Sequence, residues 1–115
     1  LTHNETSSGV SMPVADIHSF KKKHPSKIVA VDMVSSAPYP DLDWNLVDTA
    51  FFSVQKGFGL PAGLGVWIAN EVCLRKAEAL KTNGLYIGSH HSLPSLWKSS
   101  LNHETPATPN VLGIY

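Results

Sequence analysis

The chain has 115 residues, of which 43% are hydrophobic and 16% charged, with nine basic and nine acidic side chains in balance. That is the composition of an ordinary globular protein, and it argues against a basic nucleic-acid binder or an acidic solvating tail. The apolar runs last only a few residues, so no membrane span is expected; no secretory leader is visible, and one cysteine, Cys73, can form no internal disulfide, which points to a reducing cytoplasm.

Both ends read as cut from a longer polypeptide, since Leu1 runs at once into a polar motif and Tyr115 falls inside an opening helix. Ser11-Met12-Pro13 predicts a helix start with Pro13 in the first turn. Val14, Ile17 and Phe20 then share one face. Lys21, Lys22 and Lys23 follow as a solvated end that suits the helix dipole. Ile28-Val29-Ala30-Val31 predicts a buried strand ending at Asp32, and a proline-containing loop spans 35–41. Residues 50–54 predict a second buried strand, with Gln55 and Lys56 at its C-terminal end. Residues 65–68 predict a third. Too few residues separate the last two for a parallel crossover, so the third strand should run antiparallel inside an otherwise parallel sheet.

Asn70 predicts an N-cap for a helix over 71–82, with Gly84 as its stop. The stretch 86–106 is poor in pattern and leaves room for a short helix at 93–101. Thr108-Pro109 reads as the opening of a last helix over 110–115.

Ligands of open α/β sheets sit beyond the carboxyl ends of the strands. Asp32 and Lys56 are the charged side chains at such ends, each after a strand apolar enough to be buried. A buried charge calls for a partner or a function. The two could pair with each other, or they could bracket a cofactor. Pyridoxal 5′-phosphate needs this combination: a lysine amine to form a Schiff base with its aldehyde, and an acid to keep its pyridine nitrogen protonated. Gly57, Gly59 and Gly63 allow sharp turns and close backbone approach.

Three strings carry a family resemblance: Asn4-Glu5-Thr6 with Gly9; Val31-Asp32 with Ser35-Ser36; and Ser53-Val54-Gln55-Lys56-Gly57 with residues 59–65. In this order they resemble the class V pyridoxal-phosphate aminotransferases. The Asn-Glu-Thr motif, the glutamine before the lysine and the Thr-Pro pair are most similar to the branch acting on O-phospho-L-serine. The resemblance implies an α/β fold of the aspartate-aminotransferase type, mostly parallel with one antiparallel strand and flanking helices. Residues 1–115 would form part of the large cofactor-binding domain.

It also implies roles. Lys56 is the Schiff-base lysine and proton shuttle, and Asp32 holds the pyridine nitrogen. Thr6 bonds the cofactor at its phenolic oxygen, and Gln55 reaches its phosphate. Ser35 lies near the phosphate or Asp32. Thr108 reaches the phosphate of a neighbouring subunit's cofactor, which implies a homodimer; Ala107 stands where the family often has asparagine. The implied reaction moves an amino group between O-phospho-L-serine and 2-oxoglutarate, in serine biosynthesis. Alternatives are a serine–pyruvate or alanine–glyoxylate enzyme of the same family, or a non-catalytic α/β scaffold. The 115 residues alone are expected to be inactive and to leave apolar surface uncovered.

Simpler readings cover other residues. His90-His91 lacks a third ligand at useful spacing, so no metal site is expected. His3, His18, His24 and His103 read as surface residues. Cys73 reads as a helix packer, and Trp44, Trp67 and Trp97 as core or interface anchors.

Overall fold

A computed structural model describes residues 1–85, 87–88 and 92–104. It divides into two compact units, the first running from Leu1 to Ala69 and the second starting at Asn70.

The first unit is built on a short mixed sheet. Strand β3 (Ala30–Asp32) pairs in parallel with β4 (Thr49–Ser53), with Asp32 opposite Phe51. Strand β5 (Gly65–Ala69) pairs antiparallel with β4, Ser53 opposite Gly65. The short link between β4 and β5 leaves no other choice, and the expected antiparallel strand is present. On the far edge of β3, residues 1–3 add a further parallel rung. The Leu1 amine donates to the Ala30 carbonyl, Asp32 N–H donates to the Leu1 carbonyl, and His3 N–H donates to the Asp32 carbonyl.

A small hairpin follows: β1 (Asn4–Glu5) pairs with β2 (Val10–Ser11). Two-residue strands show no alternation, so sequence pattern did not reveal it. Ser11 belongs to this hairpin, where its hydroxyl donates to the His3 carbonyl. The helix α1 (Val14–Lys23) therefore starts later than expected, with Pro13 as its N-cap residue. Ile17 from α1 is fully buried among Val29, Val31, Met33, Ala37, Leu42, Val47 and Ala50, and Val14 and Phe52 pack against this core. Phe20 is exposed instead, beside the ring of His24.

One of the three lysines is not solvated. Lys21 turns inward and meets Asp48 at 2.6 Å, the carboxylate being only 5% exposed. The same carboxylate oxygen accepts Val29 N–H at 2.8 Å, and Lys21 Nζ also donates to the Lys27 carbonyl. The pair ties the end of α1 to the entry points of β3 and β4. Burying two charges is costly, and several hydrogen bonds are what offset the loss of water here.

Two other expectations change. Phe51, Trp67 and Ile68 lie on the sheet yet are exposed, so β4 and β5 are not buried on both faces. Trp67 is nonetheless anchored: its Nε1–H donates to Thr49 Oγ1, which donates to the Ile68 carbonyl, each at 2.7 Å. Leu60 and Leu64, in the β4–β5 connection, are also exposed, which matches the expected uncovered apolar surface.

In the second unit, α2 (Glu71–Thr82) is capped by Asn70, whose side chain accepts Cys73 N–H, and Cys73 is its buried residue. Gly84 ends it in the left-handed conformation, φ 82°, as expected. Helix α3 (Leu93–Leu101) packs against α2. Among the described residues no helix is long and apolar enough to cross a membrane. The expected helix over 110–115 and the His90-His91 pair lie outside the described residues.

Removing one partner of the Lys21–Asp48 pair strands the other. Asp48→Ala is expected to cost about 3–5 kcal/mol in chemical denaturation. The double substitution Lys21→Met, Asp48→Asn keeps an acceptor for Val29 N–H and should cost less than Asp48→Ala.

Candidate functional site

Asp32 is the last residue of β3, and Lys56 lies three residues beyond the end of β4. Because these strands are parallel neighbours, both residues emerge at the same end of the sheet. This is the place where open α/β sheets bind ligands. Their apolar strands predict two buried charges, and the structure corrects this. Asp32 is half-buried and Lys56 is exposed, because the polypeptide leaves the sheet into open turns before reaching Lys56.

The carboxylate of Asp32 is oriented by its own chain. Its Oδ1 accepts Val34 N–H at 2.9 Å, an Asx-type turn that fixes the side chain at the strand end. Behind it, the turn over 33–37 is held by Ser36 and Ala37 N–H, both donating to the Met33 carbonyl.

Lys56 sits on a turn closed by Gly59 N–H donating to its carbonyl at 3.0 Å. Two links fasten the ends of the connecting loop: Val54 N–H donates to the Leu64 carbonyl, and Leu60 N–H to the Val54 carbonyl. Phe58 stacks on Phe52, with centroids 5.2 Å apart and planes at 11°. Phe52 in turn packs on the core. The turn bearing Lys56 is thus tethered to the interior although the lysine is exposed. Gln55, just before it, is also exposed.

Thr6 is carried to the same region by the β1–β2 hairpin. Its hydroxyl lies 3.4 Å from that of Ser35, which follows β3. Glu5 shapes the tip: its carboxylate accepts both the hydroxyl and the N–H of Ser7, and these bonds, the hydroxyl's first, hold its pKa below the usual range. Gly9 completes the turn at φ 70°, where a residue with a side chain would be strained. Thr108 lies outside the described residues.

Three features of the site have no signal in the sequence pattern. The buried Ser36 hydroxyl and the buried Nδ1 of His3 find no hydrogen-bond partner among the described residues. His3 was expected at the surface; its ring nitrogen is enclosed because its backbone joins the edge of β3. Gly57 lies so close to the loop after β3 that a Cβ built on it would stand 2.1 Å from the Ala37 carbonyl oxygen. Only the alternating backbone of residues 1–3 beside β3 could have signalled His3. Ser36 and Gly57 needed the tertiary arrangement.

The residues fit pyridoxal phosphate. A primary amine and a carboxylate share one end of the sheet, and hydroxyls from Thr6 and Ser35 meet beside the carboxylate's loop. Asp32 is held at the strand end through its Oδ1, which accepts Val34 N–H. An unpaired buried hydroxyl in the same loop is the kind of uncompensated group that a site leaves behind.

Comparison with known proteins agrees. The family model for aminotransferase class V matches residues 1–115. The chain is similar to a putative phosphoserine aminotransferase of Mycobacterium avium, 31% identical over 113 residues, covering 95% of this chain and 28% of that protein. A phosphoserine aminotransferase of a Nocardioides species is 30% identical, covering 98% of this chain and 30% of that one. Among solved structures, a phosphoserine aminotransferase from Cytophaga hutchinsonii superposes with a TM-score of 0.91 at 53% identity, covering 98% of this chain and 31% of the other. An aspartate aminotransferase from Thermus thermophilus gives 0.73 at 28% identity, covering 97% and 31%. The chain therefore spans under a third of the length of these relatives. The family is one of pyridoxal-phosphate-dependent transferases, and its α/β architecture with a mixed sheet is the one described above. This chain belongs to the class V aminotransferases.

Proposed function

We propose that the protein containing this chain transfers an amino group between O-phospho-L-serine and 2-oxoglutarate, using pyridoxal 5′-phosphate. The observation that carries this reading is the emergence of Lys56 and Asp32 at one end of two adjacent parallel strands. Its support for the substrate is the likeness to phosphoserine aminotransferases.

On this reading residues 1–115 form part of the large cofactor-binding domain. The bound cofactor supplies an electron sink that eases loss of the substrate's α-proton. The chain supplies the rest. Lys56 would hold the cofactor through its amine and, once that amine is released, would take the proton from the substrate Cα and return it, as a general base and then a general acid. Asp32, held in place by Val34 N–H, keeps a proton on the ring nitrogen by charge and hydrogen bonding. The Thr6 hydroxyl, steadied by Ser35, is directed to the phenolic oxygen. Gln55 reaches the phosphate. Thr108 reaches the phosphate of a second subunit's cofactor, so the active form is a homodimer; the sequence predicts that Thr108-Pro109 opens a helix, and helix N-termini favour phosphate.

Borohydride reduction of the intact protein with pyridoxal phosphate, followed by mass spectrometry, should place one adduct on Lys56. An adduct elsewhere, or none, would favour the scaffold reading. Lys56→Ala should abolish transamination. Asp32→Asn should retain the cofactor and lose activity by about 10²-fold or more, as expected when a charge-stabilising contact in the transition state is removed.

Phe58→Ala removes the stack that tethers the Lys56 turn. It should lower kcat by about tenfold through loss of orientation without abolishing the adduct, and unchanged kcat would show the tether to be idle. Turnover of phosphoserine in preference to serine and alanine is the expected substrate result, and the reverse order would point to another member of the family.

A further inference from the structure

We propose that Gly57 is a positioning residue for Lys56, acting through direct contact between the turn after β4 and the carbonyl of Ala37 in the loop after β3. The inference rests on the assignment of Lys56 made above.

The contact is steric. A Cβ at position 57 would meet Ala37 O at 2.1 Å, its carbonyl carbon at 3.1 Å and Pro38 Cδ at 3.1 Å. None of these is the far end of a flexible side chain. The φ of Gly57 is not in the left-handed region, so an alanine there meets a wall, not a forbidden backbone.

Ala37 cannot easily withdraw. It is 2% exposed and part of the core. Its N–H donates to the Met33 carbonyl at 2.8 Å, and Ser36 N–H does the same at 3.0 Å. Moving a residue so packed disturbs the core around it, which interiors resist. The other side is softer. The turn at 56–59 is exposed and is held by one internal hydrogen bond and the Phe58–Phe52 stack. An added methyl group therefore moves Lys56 and leaves Asp32's loop in place.

Real Cβ contacts stop near 3.0 Å, so the turn would have to shift by about 1 Å, a misplacement that can cost catalysis about 100-fold. Gly57 thus sets the spacing between the proton-carrying lysine and the loop that follows the carboxylate. The neighbouring glycines do not share this role. Gly59 and Gly63 have positive φ with open space around them, so their service is conformational.

The test uses the intact protein loaded with pyridoxal phosphate. Gly57→Ala should keep the borohydride-fixed adduct on Lys56, lose about 100-fold in kcat with little change in KM, and shift the pH midpoint of the lysine-bound cofactor's absorption. Gly65→Ala, whose Cβ would sit at an ordinary 3.9 Å from Phe52 O, should leave kcat and midpoint unchanged. Ala37→Gly adds no atom to the contact but lets its carbonyl yield. Alone it should lower kcat modestly, and combined with Gly57→Ala it should recover part of the lost rate.

A folded Gly57→Ala protein with the original kcat and midpoint would overturn the inference. If Gly57→Ala does not fold, an Ala37→Gly protein indistinguishable from the original would overturn it as well. Lack of any adduct on Lys56 in the unsubstituted protein would instead overturn the assignment of that lysine, and this inference with it.

Discussion

The parallel pairing of β3 with β4 is the constraint on which the site depends. Ala30, Val31 and Asp32 stand opposite Thr49, Ala50 and Phe51, so the chain directions agree and the two strand ends open onto the same side. Had these strands paired antiparallel, Asp32 and Lys56 would emerge at opposite ends of the sheet. Hydrophobic burial of Val31 and Ala50 sets this register in place, because a one-residue slip of either strand would turn its own core residue toward water. The Lys21–Asp48 pair reinforces it at the opposite end, where the strands begin. The end proposed to bind the cofactor and the end that anchors are therefore distinct, and the polar groups at each do different work.

Around the strand ends the chain builds its geometry from turns. Asp32 is fixed by an N–H two residues on, Thr6 by a hairpin whose own acid satisfies its tip, and Lys56 by a turn stacked on a core-facing phenylalanine. None of these supports is apolar burial of the functional group itself. The side chains proposed to react stay accessible while the backbone under them is tied down, which is the usual division of labour between loops that carry function and the scaffold that positions them. The hydroxyl contact between Thr6 and Ser35 and the close approach of Gly57 to Ala37 show two separate segments closing on one loop, that between β3 and β4.

Much of this was legible in the residues. The β-branched run before Asp32 and the apolar run before Lys56 located both strand ends, and the length of the connection to Gly65 fixed the antiparallel direction of β5. Asn70 and Gly84 marked a helix because capping is local chemistry that needs no tertiary context. What was hidden depended on contacts distant in sequence. The β1–β2 hairpin is too short for alternation to register, so Ser11 was assigned to a helix start. Lys21 belonged to a charge run that ordinarily stays in water, and only the position of Asp48 draws it inward. Phe51 and Trp67 looked like core residues since a short apolar run does not reveal which of its faces is covered. The family resemblance carries the cofactor and the named roles; the bare pattern of Asp32 and Lys56 is a weak signal that by itself favours a structural ion pair.

The direct test of this account is a crystal structure of the intact protein with pyridoxal phosphate. It predicts continuous density joining Lys56 Nζ to the cofactor, and an Asp32 carboxylate oxygen at about 2.7–2.9 Å from the ring nitrogen. A structure in which these two side chains face separate regions, too far apart for a single pyridine ring to span, would contradict it.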